Sequence, residues 1–282
     1  MMGVLLAAFG TLFEEVATSI GKWEVRNRVE SVYSFGFLQL FWGGVLMVGI
    51  AIVRPDTFVF SFASLPTFLT RCVLEVIQAF VTVMAVVRAS RSTVGFLRIG
   101  TIPLLLGFDA VAGYLPSTAQ LFGIAVIIAT LILLLWNHGL DRAGAGYIAF
   151  SAVNAVATVS LFQYDIRNFN SVVGEQLPIY ILLIVYFAVA ARMVTGEYPF
   201  RLLAHRTTFA QSFIEGVGGV VSSFAILFAP AAIVFAAKRS SAVLWSVLAG
   251  RITFHESRFL LKIVATILLI IGMVFLTGIV AW

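Results

Sequence analysis

Long, nearly continuous apolar runs separated by short polar connections are the main pattern along this chain. Each run has about 20 residues, the length at which an α-helix crosses the hydrocarbon core, and none alternates as a barrel strand does. Ten such segments are predicted, with approximate bounds 3–21, 31–53, 66–88, 92–112, 117–136, 144–162, 174–194, 208–228, 231–252 and 258–280. The pattern predicts an all-α membrane protein with ten transmembrane helices and without an extramembrane domain that could hold a soluble active site.

Composition excludes other classes of protein. The chain has 282 residues, of which 61% are hydrophobic and 11% charged, whereas soluble domains average about 25% charged residues. The net charge is +5, but no basic run with interleaved aromatic residues is present, so nucleic acid is not an expected partner. A single cysteine, Cys72, and three scattered histidines provide neither a disulfide framework nor a metal site, and no cofactor is expected.

An internal repeat is indicated when residues 66–136 are compared with residues 206–276 at an offset of 140. This offset aligns Glu75 with Glu215 and Arg98 with Lys238, so each half carries an acid followed 23 residues later by a base. We therefore divide the chain into two five-helix repeats, 1–140 and 141–282. Because five is odd, the repeats must have opposite orientations, which predicts a substrate site near the middle of the membrane between them.

The chain resembles ten-helix, EamA-type members of the drug/metabolite transporter superfamily. The stretches that carry the resemblance are Ala89-Ser90-Arg91-Ser92-Thr93-Val94 running to Pro103, Gln120-Leu121-Phe122-Gly123, Pro230-Ala231, Lys238-Arg239-Ser240-Ser241, Glu256 and Gly272. The resemblance implies a multi-pass transporter of the cell membrane. Lys238-Arg239 is similar to the ninth-helix pair with which triose-phosphate-type translocators hold a phosphate, and Arg98 to their fourth-helix base.

Ionisable residues inside the apolar segments are the candidate site, since each costs about 2.5–3.5 kcal/mol near the bilayer centre. Three of the 18 basic residues are interior: Arg98, Lys238 and Arg239. Together they suit an oxyanion. The alternative is internal neutralisation, in which Glu215 pairs with Lys238 and Glu75 with Arg98.

The other fifteen basic residues, Arg71 and Arg91 among them, are interpreted as bases at helix ends. The acid Glu256 is interpreted as a boundary residue.

Orientation in the membrane is left open by the basic residues. Twelve of them lie beside connections that follow odd-numbered segments and three beside even-numbered ones. Counted this way, the positive-inside rule puts both termini outside, whereas the family that the chain resembles usually has both in the cytoplasm.

The interior acids suggest coupling and binding roles. Glu14 and Glu15 are not tolerated in a signal peptide, so we expect segment 3–21 to be retained as a membrane helix. They resemble the first-helix glutamate with which small multidrug-resistance proteins exchange protons for cations; the alternative is a packing role.

Glu75 and Gln78 share a helix face and are candidate substrate ligands together with Glu215. Weaker candidates are Gln39, Trp42, Asn154, Tyr180 and Tyr186.

The expected function is secondary active transport of a small polar metabolite by alternating access, in a monomer or homodimer within the lipid bilayer. No ATP-binding motif is present, so a proton or exchange gradient would drive it. The substrate is anionic or phosphorylated if Arg98, Lys238 and Arg239 line the site. Alternatives are a proton-coupled exporter of cationic or amphipathic compounds, if Glu14 and Glu15 dominate, and a non-transporting receptor. An enzyme is not expected, since no nucleophile–base pair lies within the apolar segments.

Overall fold

The computed structural model describes residues 2–104, 117–137, 142–225, 228 and 231–276, and these are almost entirely helical, with no strand among them. The main helices are α1 Met2–Arg26, α2 Val32–Val53, α3 Leu65–Arg88, α4 Arg91–Arg98, α5 Thr118–Trp136, α6 Ala145–Asn168, α7 Val172–Ala190, α8 Arg206–Ala225, α9 Ala231–Ile252 and α10 Phe259–Leu276. Short helical turns occur at Pro55–Thr57, Phe62–Ser64, Ala191–Thr195 and Pro199–Leu202.

Among the described residues, six helices are long and apolar enough to cross a membrane: Met2–Arg26, Val32–Val53, Pro55–Arg88, Thr118–Trp136, Ala145–Asn168 and Val172–Thr195. The prediction of an integral, all-α membrane protein is therefore confirmed. Helices α8, α9 and α10 are not among these six, so a count of ten spans stays a prediction. Pro230 and the predicted helical residues 105–112, 226–227 and 277–280 lie outside the described residues.

Helix α1 lies at the centre of the packing. It contacts α8 and α9, and α8 in turn packs against α2, which also packs on α7. On the other side, α3 packs on α6, α4 on α9, and α5 on α10. One buried apolar cluster joins α4, α5, α9 and α10 through residues such as Phe96, Ile127 and Leu269. A second joins α2, α3 and α7 and includes Phe37, Val83 and Phe187. Between these clusters α1 brings its two glutamates into the interior.

Glycine contacts explain how α1 and α8 approach so closely. A Cβ atom at Gly218 would lie 2.7 Å from the carbonyl oxygen of Gly10, and one at Gly10 would lie 2.8 Å from that of Gly218. Gly216 makes a similar contact with α2, where a Cβ atom would lie 2.6 Å from the backbone nitrogen of Gly43. Small residues at such crossings let helix backbones touch in the absence of a hydrophobic driving force.

We expect Gly218→Ala to destabilise the protein by about 1–3 kcal/mol, because the added methyl group overpacks a backbone contact. The melting temperature of the purified protein in detergent measures the effect. Gly49→Ala is the matched control, since a Cβ atom at Gly49 meets nothing within 4 Å. Equal melting temperatures for the two variants would contradict the close contact between α1 and α8.

Candidate functional site

A polar cavity lies at the centre of the bundle, between α1, α3, α4, α8 and α9, with α2 and α7 closing one side. It has two adjoining lobes of about 310 and 230 Å³. All eight residues predicted from the sequence line it. Those shared by both lobes are Glu14, Glu15, Gln78, Arg98 and Lys238. Glu75 and Glu215 border the larger lobe and Arg239 the smaller one. Of the weaker candidates, Gln39 and Tyr180 also line the larger lobe.

Ion pairs in this cavity differ from those that the sequence suggests. The ammonium nitrogen of Lys238 lies 2.8 Å from Glu14 Oε1, whereas Glu215 accepts only a 3.5 Å hydrogen bond from Thr18 Oγ1. The expected pairing of Glu215 with Lys238 is therefore wrong. Helix α1 lies against both α8 and α9, so Glu14 reaches the lysine from the neighbouring helix.

Glu75 is likewise paired differently. Its carboxylate lies 3.4 Å from Arg71, one turn earlier on α3, so the expected pairing with Arg98 is also wrong. Arg71 itself is buried, with 2% of its side chain exposed, and its Nη1 lies 2.6 Å from Glu175 Oε2 on α7. Its guanidinium stacks 4.5 Å from the centre of the Phe162 ring. The interpretation of Arg71 as a base at a helix end is thus corrected.

The interpretation of Arg91 as a base at a helix end is corrected as well, because only 1% of its side chain is exposed. It begins α4 and donates to Glu15, so this pair ties α4 to α1. The available sequence signal was that Arg71, Arg91 and Glu175 stand at or just inside the edge of an apolar segment. Their distance from the segment centres made them resemble ordinary helix-end residues.

Glu256 caps the amino end of α4 and is not a simple boundary residue. It lies in the connection between α9 and α10 and accepts hydrogen bonds from the backbone N–H of Arg91 at 2.7 Å and from Lys262 Nζ at 2.9 Å. Ser92 Oγ also donates to it. Burial acts to raise the pKa of Glu256, but the hydrogen bonds from Ser92 and Lys262 outweigh it and hold the pKa below its usual range.

Two guanidinium groups at the cavity form no ion pair with any residue that the structure describes. Within the described parts of the chain, no carboxylate lies within 4.0 Å of Arg98 or Arg239. Both border the smaller lobe together with Thr101, whose hydroxyl oxygen is buried and has no hydrogen-bond partner. Two cations and one hydroxyl without partners at one small cavity can together hold an oxyanion.

Gln78 has a different environment from the charged residues. Its Nε2 donates to Ser151 Oγ at 2.7 Å, and its Oε1 accepts from Asn154 Nδ2 at 3.0 Å. Both partners are on α6, so the amide is held against that helix as part of a neutral cavity wall. Asn154 thus holds the Gln78 amide in place from α6. Trp42 and Tyr186 border neither lobe.

The sequence matches no protein family model, and a search of curated proteins finds no relative. Among the described residues, no group of three or more histidine, cysteine or acidic side chains is arranged to hold a metal ion.

We expect Arg71→Gln to destabilise the protein by about 3–5 kcal/mol, because it leaves the buried Glu175 carboxylate without its cation. The double variant Arg71→Gln/Glu175→Gln should lose less, since it removes both charges. Thermal melting in detergent compares them, with Arg54→Gln as the control because the Arg54 side chain is 68% exposed. A double variant less stable than Arg71→Gln would show that the ion pair is not the source of the loss.

Proposed function

We propose that this chain is a secondary transporter that moves a small metabolite with an anionic group across the membrane by alternating access. The observation that carries the proposal is the pair of guanidinium groups, Arg98 and Arg239, which line a cavity inside the helical bundle and form no ion pair with the described residues. Arginine presents a planar set of donors that matches phosphate and carboxylate oxygens. Lys238 borders the same lobe and supplies a third cation, although it is already paired with Glu14.

The proposal includes the inverted-repeat architecture of the drug/metabolite transporter superfamily. Helices α2 and α7 begin at Val32 and Val172, and α4 and α9 begin at Arg91 and Ala231, each 140 residues apart. The contacts of α1 with α8 and α9 correspond to those of α6 with α3 and α4 under the same offset. Ser31 and Ser171, also 140 apart, both cap a helix with their side chains. These regularities support a duplicated fold.

The cost of burying charged side chains suggests how binding of an anion is linked to closure of the helix bundle. Closing the cavity without a substrate would bury two guanidinium ions that lack ion-pair partners among the described residues, which costs several kcal/mol per ion. A bound anion offsets that charge, so the bundle should close readily only when it is occupied. The pairs Glu14–Lys238 and Glu15–Arg91 connect α1 to α9 and α4. They lie beside the proposed anion site, where a bound anion can compete with the carboxylates and loosen those contacts.

The first test is a thermal-shift screen of the purified protein, followed by uptake into proteoliposomes. The screen covers phosphate, sugar phosphates, carboxylates, amino acids, nucleotides and choline-like cations. We expect an anion to stabilise the wild type, and Arg98→Gln, Arg239→Gln and Lys238→Gln each to reduce its uptake at least tenfold. Arg54→Gln, which changes an exposed base, should transport normally. Stabilisation by cations alone, or unaltered uptake by all three variants, would reject the anionic substrate.

A second candidate is proton-coupled export of a cationic or amphipathic compound. The observation that favours it is a mainly apolar groove of about 760 Å³ between α1, α8 and α9. Glu15 lines both this groove and the cavity, so an amphipathic compound bound in the groove would lie beside one of the cavity's carboxylates. The Glu215 carboxylate has no base within 4.0 Å among the described residues.

For this second candidate, Glu14→Gln and Glu15→Gln should each abolish transport driven by a pH gradient, because an amide cannot exchange a proton for a cation. Efflux of a choline-like cation from proteoliposomes measures it, with Asp56→Asn as an exposed-acid control. Coupling through these glutamates is excluded if both variants keep pH-driven transport.

A further inference from the structure

A second group of buried polar side chains lies outside the cavity, at the end of the bundle where α1, α2 and α8 meet. Glu24 is in the last turn of α1, Glu30 in the connection to α2, and Gln211 in the second turn of α8. Their exposed fractions are 0%, 3% and 0%. Gln211 Nε2 lies 3.5 Å from Glu30 Oε1, so the amide faces the carboxylates. None of the three residues was singled out by the sequence.

Two oxygen atoms of this group have no hydrogen-bond partner among the described residues: Oε2 of Glu30 and Oε1 of Gln211. The Glu24 carboxylate has the side chain of Thr207 as a neighbouring donor. No basic nitrogen in the described ranges lies within 4.0 Å of either carboxylate. Burying two ionised carboxylates without counter-ions would cost several kcal/mol of folding free energy for each. A buried oxygen without a donor requires an explanation, such as an ordered water molecule or a bound ion.

The charged and titratable groups around these carboxylates are Glu197, His205 and Arg206. Glu197 adds a further negative charge near Glu30 and is itself held by the Ser31 backbone N–H at 3.1 Å and Ser34 Oγ at 2.5 Å. His205 lies near Glu24. Arg206 is exposed and borders the same groove as Glu24, without an ion pair to it among the described residues. None of them neutralises the pair of carboxylates at contact distance.

The opposite half of the chain shows what this group lacks. At the offset of 140 residues, Gln211 corresponds to Arg71 and Glu30 to Asn170. Around Arg71, the buried Glu175 carboxylate has two donors: Arg71 Nη1 lies 2.6 Å from Oε2, and Asn170 Nδ2 donates to Oε1 at 2.5 Å. At the corresponding position of α8, Gln211 contributes an amide and no charge. A cation from solution can take the place that the guanidinium occupies in the other half.

We propose that Glu24, Glu30 and Gln211 form a binding site for a small hard cation, a proton or Na⁺, at the end of the bundle. Carboxylate and amide oxygens are the donors that such cations prefer. Glu24 also borders the apolar groove, which the exposed residues Arg206 and Thr207 line as well. The site is separate from the cavity of the proposed transporter and does not depend on which substrate that cavity binds.

The proton is the favoured occupant. Burial and the neighbouring Glu24 raise the pKa of Glu30 to about 9, so its carboxyl group holds a proton at neutral pH. The folded state then binds more protons than the unfolded chain between pH 4.5, the ordinary value, and about 9. Stability should therefore be highest below this window and should fall as the pH rises through it.

The test is the melting temperature of the full chain in detergent at pH 6 and pH 9, in N-methylglucamine chloride and in NaCl. The wild type should melt at a lower temperature at pH 9 in the absence of Na⁺. Glu30→Gln mimics the protonated carboxyl, so its melting temperature should change less with pH and should exceed that of the wild type at pH 9. Asp56→Asn, with an exposed side chain, should behave as the wild type does.

Na⁺ distinguishes the two occupants. If NaCl restores the wild-type melting temperature at pH 9 but has no effect on Glu30→Gln, the site binds Na⁺ as well as a proton; if NaCl has no effect on either, the site binds a proton alone. Gln211→Arg, which supplies the missing guanidinium, and Glu24→Gln provide independent variants should Glu30→Gln fail to fold, and both should reduce the pH dependence. The proposal is overturned if the folded variants keep the full pH dependence of the wild type.

Discussion

The cost of taking an ion out of water constrains more of this structure than any other interaction. A charged side chain inside an apolar bundle is costly when it has no counter-ion. Packing in which two helices bring oppositely charged side chains into contact is therefore favoured. Lys238 and Glu14 are 224 residues apart in sequence, and Arg71 and Glu175 are 104 residues apart. These pairs, with Arg91 and Glu15, join α1 to α9, α3 to α7, and α4 to α1. Close glycine contacts between α1 and α8 then bring the remaining interior acid, Glu215, to the same cavity.

The helices could be predicted because a membrane helix satisfies its own backbone and needs only an apolar run of sufficient length. The predicted segments 31–53 and 66–88 differ by a single residue from Val32–Val53 and Leu65–Arg88. The cavity residues could be predicted for a related reason, since an ionisable residue within such a run is costly without a role. Their partners could not, because pairing depends on which helix faces which. The sequence does not state that Glu14 lies opposite Lys238, or that Arg71 is buried against Phe162.

Some interior charges in the described structure have no ion-pair partner within 4.0 Å: Arg98, Arg239 and Glu215 at the cavity, and Glu24 and Glu30 at the end of the bundle. At the cavity, two unpaired guanidinium groups outnumber one unpaired carboxylate, which suits an anionic substrate. At the end of the bundle, two unpaired carboxylates suit a small cation. Both groups border α1 and α8, the two helices that meet at the close contact between Gly10 and Gly218.

The central claim is that the unpaired guanidinium groups make the cavity selective for anions. The rate at which charged thiosulfonate reagents modify a cysteine introduced at Gln78, in a Cys72→Ser background, measures it directly, since Gln78 borders both lobes. We predict that the sulfonate reagent reacts faster than the trimethylammonium reagent, each rate being taken relative to that with a free thiol. Replacing Arg98 and Arg239 by glutamine should remove this preference. Faster reaction with the cationic reagent, or a preference unchanged by the double replacement, would contradict the account.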